Sequence, residues 1–294
     1  MKETPDIEKV KQVAPEAENL GEIGSGGYKV VYKALVSGKI EALKLVQIPG
    51  DESDETIRDE NLRRVARELD TLSECKNPYL VKLGSIPPRP CEIDSLEYML
   101  YSEEYIPGDT IREMIVKDYR PSRQELAELG ACLLKAVQEL AVMNIIHRDI
   151  KPDNIIKTNN PERPHVLLDL GIAFQIGGTR LTRNSVRIPG TLYYIAPEML
   201  DQGFRQNLDY RADLYTVALT LYEFASADNP FAHRGDPQFT TLYRIKTQRP
   251  KPLLELRNDL PPEMCRLIDQ LMRKLPALRP ANLDQLIKEM ERYR

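Results

Sequence analysis

The sequence predicts an α+β chain of two unequal lobes: an N-terminal extension over residues 1–20, a small β-rich lobe over 21–106 and a larger helical lobe over 107–294. Three observations carry that expectation. The length of 294 residues is more than one hydrophobic core ordinarily holds. Residues 21–48 mix glycine with β-branched and aromatic residues, as strands and hairpins do. Past residue 120, apolar side chains recur at helical spacing in several long segments.

In chain order, Ala42 to Val46 reads as a strand carrying Lys44, after a glycine-rich stretch, Gly24-Ser25-Gly26-Gly27, that taken alone is more often a turn than a phosphate cradle. The acidic run Asp51 to Glu60 reads as a solvated loop. From Asn61 to Ser73, Leu62, Val65, Ala66, Leu69 and Leu72 recur as on a helix, with Glu68 beside their stripe. Leu96 to Ile106 is a second strand ending in a Pro107-Gly108 turn. Ser122 and Glu125 form a capping box that opens a helix whose Leu126, Leu129, Leu133, Val137 and Leu140 face one side. Ile155-Ile156 and Val166 to Leu168 flank an Asn159-Asn160-Pro161 turn as a hairpin. Helices follow at Leu214 to Phe224, Glu263 to Leu275 and Leu283 to Tyr293, with no internal repeat.

Composition narrows the classes. A formal charge of −4 implies no general attraction to nucleic acid or to anionic membranes. Cys75, Cys91, Cys132 and Cys265 lack the paired spacing of a zinc site and the density of a disulfide scaffold, which fits a reducing, cytoplasmic setting. No stretch of about 18 apolar residues suggests a spanning helix, and the N-terminus lacks a signal-peptide core.

The chemistry concentrates in His147-Arg148-Asp149-Ile150-Lys151-Pro152-Asp153-Asn154, with Asp169-Leu170-Gly171 a hairpin's distance on. Phosphoryl transfer asks a protein mainly to position reactants and neutralise oxygens. Asp149 is suited to orienting a hydroxyl and accepting its proton, and Lys151 to standing beside the migrating phosphoryl group as a point charge. Asn154 and Asp169 offer the hard oxygens that Mg²⁺ takes alongside substrate phosphates.

These residues resemble the catalytic and metal loops of eukaryotic-type protein kinases, and the likeness extends over roughly residues 20 to 294. It implies a two-lobed protein-kinase-like fold with nucleotide bound between the lobes. Ile23, Gly24, Ser25, Gly26, Gly27 and Val31 are similar to the phosphate-covering loop and Glu104 and Ile106 to the interdomain hinge, and Ala42, on the strand that carries Lys44, is implied to bind the nucleotide with them. Lys44 resembles the lysine that holds the inner phosphates, with Glu68 its implied ion-pair partner. Gly190 to Glu198 is similar to the substrate-docking segment, whose Glu198 is implied to meet Arg279, while Asp213 matches the aspartate that braces the catalytic loop and His147 serves packing rather than proton transfer. Lys151 and Gly190-Thr191 resemble the serine/threonine branch.

The implied activity is transfer of the γ-phosphate of ATP, with Mg²⁺, to serine or threonine hydroxyls of a protein. Arg148 implies an activation segment, about 172–195, phosphorylated through self-association at Thr179, Thr182 or Ser185, with Thr191 contacting the catalytic loop instead. Three positions depart from the family pattern. Lys29 replaces the third glycine, Leu170 replaces a phenylalanine, and Glu103 stands at the back of the adenine pocket, where a charge calls for a partner, for water, or for a hinge register shifted by one. Two alternatives stay open: a pseudokinase scaffold, against which stands the complete set of lysine, base and metal ligands, and a small-molecule phosphotransferase, against which stands the docking segment.

Overall fold

The computed structural model describes residues 4–25, 29–48, 73–169, 193–201, 208–233 and 235–294. The described residues separate into two compact units, the first within residues 4–76 and 81–106 and the second within 77–80, 107–169 and 193–294. Among the described residues no helix is long and apolar enough to cross a membrane.

The first unit is a five-stranded antiparallel sheet in the order β1-β2-β3-β5-β4, from β1 (Ala17–Ser25), β2 (Lys29–Val36), β3 (Lys39–Gln47), β4 (Arg89–Ile93) and β5 (Leu96–Glu104). Two-residue turns with left-handed backbone set its hairpins. Ser37 and Gly38 join β2 to β3 at φ 49° and 76°, and Asp94 and Ser95 join β4 to β5 at 53° and 59°. One face carries the core, with Tyr32, Leu43, Leu45, Ile86 and Leu100 buried.

Residues read as an N-terminal extension are integral to this unit. Asp6 caps helix α1 (Ile7–Val13) by accepting from the Glu8 N–H, and Val10, Ala14 and Ala17 enter the core. Arg89 donates to the Val13 carbonyl at 3.0 Å, and the Tyr32 hydroxyl to the Pro5 carbonyl at 3.1 Å. The first strand therefore starts at Ala17, four residues before the sequence pattern suggests. The expected helix over 61–73 and the acidic run lie outside the described residues, except for Ser73.

The second unit begins with β6 (Asp109–Thr110) and helix α2 (Ile111–Val116), which opens with a capping box between Thr110 and Glu113. Helix α3 (Arg123–Val142) opens with the expected Ser122–Glu125 box and buries Leu126, Leu129, Leu133, Val137 and Leu140. β7 (Ile155–Lys157) and β8 (His165–Leu167) form the anticipated hairpin, with β6 on the other side of β7. Gly108 sits where a Cβ would lie 2.1 Å from the Lys157 carbonyl oxygen, so only glycine lets the chain enter β6 beside β7.

Helix α4 (Arg211–Ser226) is buried from Ala212 to Ala225 and forms the centre of the helical lobe. Its surface, mostly apolar, is covered by α3 and later helices. Helices α5 (Gln238–Thr247), α6 (Leu253–Leu256), α7 (Pro262–Leu271) and α8 (Leu283–Glu291) complete the unit. α7 ends four residues earlier than its periodicity suggests, because Met272 caps it and a 3₁₀ turn at Pro276–Leu278 follows. Met264, Leu267, Ile268, Leu271 and Met272 are buried, as expected of a core stripe. His165 is buried too, with its Nδ1 unpartnered, and burial lowers its pKa to about 4.

Candidate active site

The catalytic loop is shaped by what surrounds it. Asp213, in the first turn of α4, accepts the backbone N–H of His147 at 2.7 Å and of Arg148 at 2.9 Å, one on each carboxylate oxygen. That grip holds Arg148 in a left-handed conformation, φ 66°, which a side-chain-bearing residue adopts only where its surroundings fix it. His147 is buried, its Nε2 lies 3.1 Å from the Leu168 carbonyl and its Nδ1 accepts the Asp149 N–H at 3.3 Å. Both contacts agree with a packing role.

The loop thereby presents Asp149 with its partners in place. Lys151 Nζ donates to Asp149 Oδ1 at 2.9 Å and Oδ2 at 3.0 Å, and Asn154 Nδ2 donates to Oδ2 at 2.7 Å and to the Asp149 carbonyl at 2.8 Å. The Asp149 and Lys151 side chains keep 14% and 15% of their exposure. A carboxylate held by two donors is fixed in direction and keeps lone pairs for a hydroxyl.

Asn154 ends the 3₁₀ turn Pro152–Asn154, and its carbonyl accepts the Leu168 N–H at 2.7 Å, extending the β7–β8 ladder by one step. Asp169 follows with φ 52° and is buried. The hairpin therefore brings the two expected metal ligands to one end, although fifteen positions of sequence separate them. Donation by Asn154 Nδ2 to Asp149 leaves its Oδ1 for another partner. A carboxamide oxygen beside a carboxylate suits Mg²⁺, which keeps waters and needs few protein ligands. Among the described residues no cluster of three or more His, Cys, Asp or Glu forms a larger metal cage.

In the first unit Lys44 lies on β3 opposite Tyr101 and Ala42 opposite Glu103. The expected partner Glu68 lies outside the described residues, as do Gly26, Gly27, Leu170, Gly171, the segment 172–192 and its threonines and serine. Glu103 resolves its own difficulty: its carboxylate pairs with the Lys44 ammonium, with side-chain exposures of 5% and 3%. Ala42 and Ile106 are buried, Val31, Gly24 and Glu104 half-buried, and Ile23 and Ser25 exposed. Of these residues Ile23, Gly24 and Ser25 lie on β1, Val31 on β2, Ala42 and Lys44 on β3 and Glu104 at the end of β5, with Ile106 two residues past it.

Two further groups lock the second unit. Arg279, with no exposed side-chain surface, forks onto Glu198 at 2.6 and 2.7 Å and donates to the carbonyls of Arg273, Arg211 and Lys274. Sequence reading missed Arg112. It donates to Glu223 at 2.7 Å, to Asp153 of the catalytic loop at 3.3 Å and to the Tyr194 hydroxyl, which itself donates to Glu223. No local pattern announces this cluster, because its members come from α2, the catalytic loop, residues 193–201 and α4.

Burial pushes the Asp213 carboxyl up to about 6, against the lowering effect of its two backbone donors. A folded-state value above the ordinary carboxyl value of 3.8 means that folding takes up a proton between those limits, so the Asp213 contribution to stability falls as pH rises through 6. Function should run the other way, because the protonated acid keeps one good acceptor instead of two. Turnover is expected to decline as pH falls through about 6, and Asp213→Asn should start lower and lose that inflection. A wild-type pH–rate profile matching that of Asp213→Asn would disprove the bracing role.

Comparison with known proteins agrees with this geometry. Residues 17–290 match the family described as protein kinase domain. A probable serine/threonine-protein kinase of Clostridium perfringens is 26% identical over 272 residues, covering 92% of this chain and 37% of that protein. Serine/threonine-protein kinase 4 homolog A of Dictyostelium discoideum is 27% identical over 269 residues, 90% of this chain and 53% of that one. This chain thus spans between about a third and a half of the length of these relatives. The crystal structure of the Mycobacterium tuberculosis PknI kinase domain superposes with a TM-score of 0.66 at 20% identity, covering 93% of this chain and 94% of that one. Rad53 in complex with AMP-PNP gives 0.70 at 21%, covering 95% and 66%. Both show a shared fold.

Proposed function

The chain belongs to the protein kinase family, and on that premise we propose that it transfers the γ-phosphate of ATP to serine or threonine hydroxyls of proteins. The observation that carries this reading is the Asp149 carboxylate, held by Lys151 and Asn154 on a loop that Asp213 grips from beneath. In this mechanism Asp149 orients the acceptor hydroxyl and takes its proton as the phosphoryl group leaves ADP. Lys151, already within 3 Å of Asp149, neutralises the oxygens of the group in flight. Lys44 meets the α- and β-phosphates, with Glu68 as its further partner. Asn154 and Asp169 would hold Mg²⁺, which would neutralise phosphate charge.

Residues 21–106 then serve as the nucleotide-binding lobe and 107–294 as the catalytic and substrate lobe of one kinase domain. The presence of Lys44, Asp149, Asn154 and Asp169 together speaks against a scaffold without activity. Glu198, anchored on Arg279 at the end of the docking segment, favours a peptide over a small-molecule acceptor. Self-association and phosphorylation within 172–195 follow from Arg148.

Radiolabelled ATP with Mg²⁺ and a degenerate peptide library, with aminoglycosides and choline as rival acceptors, tests the reading. Label on serine and threonine peptides is expected, together with added mass on the protein itself. Label only on aminoglycosides or choline, or none, rejects it.

A further inference from the structure

We propose that Arg112 sets acceptor specificity: its guanidinium fills, from within the chain, an acidic site formed by Asp153 and Glu223 that would otherwise take a basic residue of the acceptor. Serine and threonine peptides are therefore phosphorylated without need of an arginine or lysine near the acceptor residue. This rests on the reading of Asp149 as the base of a protein kinase.

The site lies beside the base. Asp153 stands on the turn Pro152–Asn154, between Lys151 and Asn154, the two residues that hold the Asp149 carboxylate. Tyr194 belongs to the docking segment whose end Glu198 anchors on Arg279. Arg112 arrives there because the Thr110–Glu113 capping box starts α2 against that turn. Its Nη1 donates to Glu223 at 2.7 Å, its Nε to Asp153 at 3.3 Å and its Nη2 to the Tyr194 hydroxyl. All of these residues belong to the second unit.

One guanidinium thus faces two carboxylates, and among the described residues no other cation pairs with either. The remaining partners of Glu223 are neutral donors, the Tyr194 hydroxyl and the Asn229 amide at 3.2 Å. Burial and the Glu223 carboxylate raise the Tyr194 pKa, which keeps that hydroxyl a donor rather than a further anion. Glu223 keeps only 5% of its side-chain exposure, whereas Arg112 keeps 29%. Solvent reaches Arg112, and Arg112 reaches Glu223, so the volume its side chain occupies is the way in for a cation from outside. A peptide arginine entering that volume would make the same charge-assisted bonds. With Arg112 in place the entry is closed and Glu223 already has its counter-ion.

The test compares kcat/KM of wild type and Arg112→Met on peptides with one serine and a single arginine or alanine, whose position is scanned along the peptide. Methionine keeps an unbranched stem and drops the guanidinium. At one position the arginine-to-alanine ratio is expected to rise about tenfold over that of wild type, the low end for a close charge pair. Adding Glu223→Gln should remove most of that rise. Ratios unmoved at every position, a rise left intact by Glu223→Gln, a folded Arg112→Met variant inactive on every peptide, or a wild-type preference for arginine of about tenfold at that position overturns the inference while leaving the kinase reading in place. Failure of the wild type to phosphorylate any peptide overturns both. Removing Arg112 strands a buried carboxylate; should Arg112→Met fail to fold, Arg112→Gln, whose amide can still donate to Glu223, carries the same test with the same expected rise and the same refutation.

Discussion

Asp149→Asn is expected to lower kcat for peptide phosphorylation by about 10²- to 10⁴-fold, the usual worth of a positioned general base. The carboxamide fits the same space but cannot accept the hydroxyl proton, and its NH₂ group would oppose the donors of Lys151 or Asn154. Thermal unfolding should change little, because Asp149 is partly exposed and the loop's main anchor is Asp213. Single-turnover measurement isolates the chemical step from product release. A variant retaining kcat within about tenfold of wild type, less than the contribution of a positioned base, would remove Asp149 from the role of base, while a collapse of the unfolding temperature would recast it as structural.

Glu198→Ala should have the largest effect on stability, roughly 3–5 kcal/mol, the cost of leaving one member of a buried pair without its counter-ion. Arg279 has no solvent to turn to. Its five N–H donors are all placed, two on Glu198 and three on the carbonyls of Arg273, Arg211 and Lys274, and its guanidinium lies 5.0 Å from the Tyr215 ring. Losing the carboxylate strands a cation among neutral dipoles. For a domain of this size each kcal/mol moves the unfolding temperature by about 2–4 °C, so a fall of roughly 10 °C is expected by scanning calorimetry. Glu198→Gln, which keeps an acceptor but not the charge, should fall between. A shift of about 2 °C or less for Glu198→Ala would show that water reaches Arg279 and that the pair is weak.

Some of this was legible in the chain. Local rules wrote the capping box at Ser122, the strand carrying Lys44 and the hairpin joining Asn154 to Asp169, because each depends on residues a few positions apart. Family motifs supplied the long-range pairings of Asp213 with the catalytic loop and Glu198 with Arg279. The integration of residues 5–20 had a quieter signal. Asp6 as a cap and Ile7, Val10 and Ala14 at helical spacing are present, but a single short amphipathic turn is weak evidence until a core receives it.

Residue order and chemistry alone thus determined which groups are available for the proposed phosphoryl transfer and which loop carries them. Tertiary structure decided who their neighbours are. Whether Glu103 meets Lys44, 59 positions away, depends on the register of two strands, and whether Arg112 joins Asp153, Tyr194 and Glu223 depends on four elements packing at once. Charges act through distance in space, and that distance is set by packing that no local pattern encodes.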